Sequence, residues 1–221
     1  MIVLAIDTAG TGCFAGVYDA GEDRLLASAG ADIGRGHAEQ LMAFIDQALA
    51  DSDRALADVD RIAVTIGPGS FTGIRVGVAA ARGFALALGV PAVGVSVLAA
   101  LAASACQVRP EQAVLAAMDA KRDELYCQVF EADGTPRTDA QIVELADAQI
   151  RFAGFDGIVC GSATRHLIAK PTPGVSQADA CDIGIVARLG AAADPAQGKP
   201  SPLYLRGPDV KSQAGFAVAR A

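Results

Sequence analysis

RIAVTIGPGSFTGIRVGVAAARGFALALG, residues 61–89, decides how this chain folds. Ile62, Val64 and Ile66 form a short β-branched run that reads as a buried strand. Gly67-Pro68-Gly69 then bends the chain, and Ser70 or Thr72 is placed to cap a helix running to about Leu88. A glycine bend feeding a helix N-terminus suits an anion, because free backbone N–H groups and the helix dipole converge there. The familiar phosphate motifs are nevertheless absent. No Lys-Ser/Thr pair follows Gly73, so the bend is not a Walker P-loop. Glycines at 67, 69 and 73 are spaced one residue too widely for a dinucleotide fingerprint. The acid that such a fingerprint needs downstream is missing too, since no Asp or Glu lies between Asp60 and Glu111.

The helix is apolar nearly all round. Gly73, Gly77, Ala80 and Phe84 form one stripe, and Ile74, Val78, Ala81 and Ala85 form the next. Arg75 and Arg82 are the main interruptions and share a face. Such a helix is buried on more than one side. One side packs on its own sheet, and the other meets either a second layer of the same chain or a second protein. The pattern alone leaves both open.

Composition narrows the class. With 221 residues the chain suits one sizeable domain or two small ones. It is 52% hydrophobic, yet the longest apolar candidate, residues 76–105, contains Arg82, Pro91 and several glycines, which argues against a membrane span. The opening MIVLAID lacks a basic region and reaches Asp7 too early for a signal peptide. Five cysteines (13, 106, 127, 160 and 181) without CxxC spacing read as free, mostly buried thiols of a cytoplasmic protein. A formal charge of −7 disfavours strong direct binding to nucleic acid.

A faint internal repeat organises the chain. VLAIDTAGTGCFAGVYDA (3–20) aligns without a gap on LAAMDAKRDELYCQVFEA (115–132), pairing Asp7 with Asp119 and Val17 with Val129. Each copy reads as a strand ending in Asp, a tight turn and a second strand. The repeat predicts two related α/β lobes, 1–105 and 106–221, with a cleft between them. In the first lobe a strand is expected over 24–31, a helix over 37–50 and a strand over 91–95. Leu41, Phe44, Ile45, Ala48 and Leu49 of that helix face the core, with Met42 to one side. A further helix is expected over 97–105. The second lobe offers a strand over 157–160, a helix over 181–192 and an irregular tail, SPLYLRGPDVK, from Ser201.

The first hairpin carries the better site chemistry. Asp7, Thr8, Gly10, Thr11 and Gly12 could offer backbone donors and hydroxyls to a phosphate, with the carboxylate on hydrated Mg²⁺. Plain turn hydrogen bonds would explain the same residues. In the second copy the small residues are replaced by Lys121, Arg122, Asp123 and Glu124, so half of any phosphate clamp is missing. Catalytic groups are sparse. His37 and His166 have Leu41 and Lys170 four residues on, so neither heads a His pair for metal. His37, at a helix start, reads as a cap or surface residue. No Gly-x-Ser-x-Gly elbow supplies a nucleophile.

Taken together, LAIDTA, GHAEQL, VTIGPGSFTGIRVG, MDAKRDELY and PLYLR resemble the bacterial TsaB (YeaZ) family, in the expected order over nearly the whole chain. The resemblance implies an α/β, two-lobed actin/Hsp70/sugar-kinase-like (ASKHA) fold with duplicated ribonuclease-H-like lobes, the second shortened. It implies a part in making threonylcarbamoyladenosine beside the anticodon of tRNA, with the catalytic sister TsaD, the ATPase TsaE, and TsaC as supplier of the threonylcarbamoyl-adenylate. In the sister a His-x-x-x-His pair binds metal; the matching positions here are Val97 and Leu101, which cannot ligate one. The resemblance therefore implies a non-catalytic subunit holding no metal or cofactor by itself, with ATP and Mg²⁺ entering only at the level of the complex. It implies pairing with TsaD, or with a second copy in isolation, through the helices at 37–50 and 71–88. His37, Met42, Phe71, Ile74, Arg75, Val78 and Arg82 are the candidate contacts, and tRNA would be reached through the partner. An autonomous actin-like phosphotransferase using Asp7, Thr8 and Thr11 remains the main alternative, with a metalloprotease behind it.

Overall fold

The computed structural model describes residues 1–206. Its first sheet is built from β1 (Ile2–Asp7), β2 (Gly12–Asp19), β3 (Arg24–Asp32), β4 (Arg61–Gly67) and β5 (Ala92–Ser96), in the order β3-β2-β1-β4-β5. β1, β2 and β3 are antiparallel, and β4 and β5 continue parallel to β1. The helices α1 (His37–Asp51) and α2 (Phe71–Leu88) supply the crossovers, as parallel neighbours require. The second sheet holds β6 (Val114–Lys121), β7 (Glu124–Phe130), β8 (Gln141–Glu144) and β9 (Ile158–Cys160), ordered β8-β7-β6-β9. Again three strands are antiparallel and the last is parallel to the first. The repeat seen in sequence is thus a repeat of topology, and it extends to a third and fourth strand that sequence similarity did not reach.

Among the short elements that escape the sequence reading are β8, α4 (Leu145–Arg151) and α5 (Thr164–Leu167). The helix α3 (Val97–Val108) packs between the lobes, touching β4 and β5 on one side and β6, β7 and β9 on the other. Val114, Ala116, Met118 and Phe130 therefore share one buried core with Leu4, Ile6 and Ile62 of the first lobe. The opposite face of the second sheet closes a smaller core, in which Leu115, Ala117 and Leu125 pack on Ala148 and Phe152.

The last α-helix among the described residues, α6 (Ile183–Ala192), returns to the first lobe and packs on β1, β2 and β4. Successive strand residues face opposite ways, so Ala63 against Gly190 and Val64 against Gly77 put α6 and α2 on opposite faces of the first sheet. Arg61 anchors the end of α6: its Nη1 donates to the carbonyls of Gly190, Ala191 and Ala193 at 3.0, 2.7 and 2.8 Å.

Both apolar stripes of α2 turn inward, since Gly73, Ile74, Gly77, Val78 and Ala81 are all buried. Ser70 is the cap, its Oγ accepting from the Gly73 N–H at 3.2 Å. By length and composition alone α2 could cross a membrane, but here its glycine stripe is seated on the ends of β1 and β4.

Candidate functional site

The two Asp-ended hairpins open onto one cleft of about 1230 Å³ between the lobes. Asp7, Gly10, Thr11 and Gly12 line its first-lobe wall, and Met118, Asp119, Lys121 and Asp179 its second-lobe wall. The bend Pro68-Gly69-Ser70 and the first turn of α2 close one end.

Asp7 ends β1 and is only 6% exposed. Its Oδ1 accepts from the Ala9 N–H at 3.0 Å and from the Thr65 hydroxyl at 2.7 Å. Burial pushes its carboxyl above the ordinary aspartate value; the two hydrogen bonds and nearby His37 pull the other way without overcoming it. Thr8 is fully buried, and its hydroxyl donates to the Gly73 carbonyl at 2.7 Å. That hydroxyl is spent in seating α2, so Thr8 is withdrawn from the set of phosphate donors the sequence suggested. Gly10, Thr11 and Gly12 do reach the cleft, but the carbonyls of the last two serve neighbouring loops. Thr11 O accepts from Ile33 and Gly34, and Gly12 O meets the His37 ring at 3.2 Å.

On the second wall, Asp119 occupies the equivalent position, two residues before the end of β6, with opposite electrostatics. The Lys121 N–H, first, and then the Lys121 and Arg165 side chains hold its carboxyl below the ordinary value. Arg165 lies 3.0 Å and Lys121 3.2 Å from Asp119 Oδ2. Asp179 goes the other way, raised chiefly by burial, although Ser162 N–H donates to it at 2.8 Å. The cleft therefore holds a buried carboxylate, Asp7, on one wall and a half-buried one, Asp179, on the other, both raised by desolvation, while Asp119 is paired with two cations. Among the described residues no group of three or more His, Cys, Asp or Glu is gathered as a metal site.

The expected contact residues divide sharply. Phe71, Arg75, Arg82 and Met42 lie toward solvent. Ile74 and Val78 are not surface residues: they are buried against the first sheet, with Val78 only 4% exposed. The close approach of the Gly73–Gly77 stripe to β1 turns their face inward, so neither is available to a partner. His37 is also corrected, being buried with its ring nitrogen on the Gly12 carbonyl rather than acting as a cap or surface group. The outer face of α2 that remains is Phe71, Arg75, Ala79, Arg82, Gly83 and Leu86. Leu86 is 84% exposed and Phe71 57%, large apolar groups that the sequence reading did not separate from the buried ones.

The tail expected from Ser201 is irregular over 201–206; residues 207–211 of that expectation lie outside the described residues. Leu203, Tyr204, Leu205 and Arg206 line the cleft, which no local pattern in the sequence announces.

Comparison with known proteins agrees with this architecture. A family model described as TsaD, tRNA N6-adenosine threonylcarbamoyltransferase, matches residues 31–164. The tRNA threonylcarbamoyladenosine biosynthesis protein TsaB of Escherichia coli is 34% identical over 134 residues, covering 60% of this chain and 56% of that protein. The chain thus matches little more than half the length of that relative. An uncharacterized protein of Mycobacterium tuberculosis is 34% identical over 212 residues, 96% of this chain and 95% of its own. The solved structure of YeaZ from Pseudomonas aeruginosa superposes with a TM-score of 0.75 at 26% identity, covering 92% of this chain and 99% of that one.

Proposed function

Because the chain belongs to the TsaB (YeaZ) branch of the tRNA N6-adenosine threonylcarbamoyltransferase family, we propose that it is a non-catalytic subunit in the synthesis of threonylcarbamoyladenosine on tRNA. In this reading it pairs with the catalytic sister TsaD, works with TsaE, and meets tRNA only through the assembly in the cytoplasm. It binds no metal or nucleotide alone; ATP and Mg²⁺ belong to the complex.

The outer face of α2 carries the reading. Leu86 and Phe71 stand exposed on an 18-residue helix without a single acidic residue, beside exposed Ala79 and Gly83. Burying such a face on another protein removes apolar surface from water at about 25 cal/mol per Å². Arg75 and Arg82 on the same face supply charge for orientation. A second copy of the chain would use this face when TsaD is absent. The phosphotransferase alternative loses ground because the Thr8 hydroxyl it needs is committed to Gly73.

The deciding experiment is threonylcarbamoyl transfer to tRNA by TsaC, TsaD and TsaE, with and without this chain, alongside ATP turnover by the chain alone. Transfer that requires the chain, with no turnover by the chain itself, supports the accessory role. Equal transfer without it, or robust turnover by the pure chain, overturns it.

A further inference from the structure

The segment 201–206 is fastened to both lobes. At its first-lobe end the Leu203 N–H donates to the Ile66 carbonyl at 2.8 Å, extending the exit of β4. At its far end Arg206 Nη2 donates to the Ala120 carbonyl at 3.1 Å, approaches the Lys121 carbonyl at 3.4 Å, and pairs with the Glu124 carboxylate. All three acceptors sit on the β6–β7 hairpin of the second lobe. From Leu203 to Arg206 the chain advances three residues, at most roughly 10 Å, and the long Arg206 side chain completes the crossing between the lobes.

The middle of the segment is held by α2. The Arg75 Nε donates to the Tyr204 hydroxyl at 2.8 Å, while the Arg75 guanidinium lies 3.6 Å from the centre of the Phe71 ring. The Phe71 and Tyr204 rings are 5.5 Å apart and tilted by 35°. This cluster of two rings and a guanidinium gains from cation–π attraction as well as apolar contact. It stands at the start of the exposed outer face of α2.

The hairpin that Arg206 grips is itself unusual. Lys121, Arg122 and Asp123 have φ of 63°, 59° and 57°, a left-handed run that side-chain-bearing residues enter at a cost. A charge-assisted contact to the carbonyls entering that turn offsets part of the cost. The hairpin and the segment thus support each other from opposite sides of the cleft.

We propose that residues 201–206 are a latch that fixes the two lobes across the cleft, with Arg75 as the positioning residue that keeps it shut from the α2 side. Loss of the Arg75 contact loosens Tyr204, and with it both anchored ends. If the accessory-subunit reading holds, a partner covering Phe71 competes for the same guanidinium, so docking on α2 and lobe closure are linked through one side chain.

Amide hydrogen exchange on the full chain tests this without any partner, so its outcome is separate from that of the pathway assignment. The probes are the Leu203 amide and the hairpin amides 121–124, in the unmodified chain and in Arg75→Ala, Arg206→Ala and Tyr204→Phe. The latch requires Arg75→Ala to speed exchange at both probes, each by roughly tenfold, as expected for losing a bond to a charged group. Arg206→Ala should likewise reach back to Leu203, while Tyr204→Phe, which keeps the ring on Phe71, gives a smaller change at the same two places. Should Arg206→Ala fail to fold, Arg206→Gln, which removes the charge and shortens the reach while keeping a polar head, carries the same readout. Exchange that rises only beside each substitution, leaving the opposite lobe unchanged, would mean two independent contacts and no latch.

Discussion

Thr8 and Gly73 touch through both backbone and side chain: the Thr8 hydroxyl donates to the Gly73 carbonyl, and a Cβ built on Gly73 would lie 2.0 Å from the Thr8 carbonyl oxygen. The end of β1 and the first turn of α2 meet with no space for a methyl group. Gly73→Ala should therefore cost about 1–3 kcal/mol, because backbone rather than a flexible tip must give way. Gly83, on the same helix, has nothing within 4 Å of the point a Cβ would occupy. Gly83→Ala should stabilise the isolated chain by about 1 kcal/mol through helix propensity. Thermal melts of the two variants should shift in opposite directions, by roughly 2–4 °C per kcal/mol.

Pairing through α2 is testable at Leu86, which is exposed, and not at Val78, which is buried. Leu86→Lys places a cation in the last turns of the helix, where the dipole favours it, so the melting temperature should hold within about 2 °C. The same variant should lose at least about tenfold in affinity for TsaD, since a charge is then forced into an apolar contact. Val78→Asp should instead unfold the chain, because it buries a carboxylate against the first sheet without a partner. Co-purification and circular dichroism together separate the two effects. Full pairing by Leu86→Lys would remove this face from the interface.

The contrast between these two positions marks how far the sequence can be read. The strand–bend–helix over 61–89 is legible because β-branched alternation, a glycine bend and a cap follow one another within one segment. The repeated hairpin is legible because Asp7 and Asp119 fall at the same place in a gapless alignment, although β6 runs on two residues past Asp119 to Lys121. Core spacing places helix 37–50 within a residue of its observed end at Asp51. The inward face of α2 is not legible, because a helix apolar nearly all round satisfies a helical period on more than one face. The contact of Gly73 and Gly77 with Thr8 turns both stripes inward, and it is long-range. β8 and α4 escape because QIVE and LADAQIR are too short for either period to stand out. Burial of His37 and capture of Arg206 by the hairpin depend on residues far away in sequence, so no local signal exists for either.

The two equivalent aspartates should titrate in opposite senses. Asp7 has its folded value raised by burial, so the folded state holds its proton to higher pH than the unfolded chain. Its contribution to stability then falls as pH rises between the unfolded and folded values, and the penalty is complete above the folded value. Asp7→Asn keeps an oxygen for the Ala9 N–H and the Thr65 hydroxyl while removing the charge. It should gain stability over the unmodified chain at pH 7 and lose that advantage near pH 3. Asp119 is lowered, chiefly by the Lys121 N–H, so its contribution is present above the unfolded value and lost as pH falls through the folded one. Urea midpoints of Asp7→Asn and Asp119→Asn measured from pH 3 to 7 check both signs.

Arg61 decides whether α6 belongs mechanically to the first lobe. It begins β4, and its guanidinium donates to three carbonyls at the end of a helix more than a hundred residues later, where the last-turn acceptors would otherwise be unpaired. Arg61→Ala leaves those carbonyls partly buried and removes a cation from the negative end of the helix dipole, an expected loss of about 2–4 kcal/mol. Arg61→Lys keeps the charge on a shorter side chain that must pull its ammonium toward the same three carbonyls, and should recover only part of that loss. The damage should appear first as faster amide exchange in 189–193, spreading to the face of β1 and β2 on which α6 rests, while the second sheet keeps its protection. Uniform loss across both lobes would instead mean that the shared core around α3 couples them into one unfolding unit, and that α6 has no separate role in closing the first sheet.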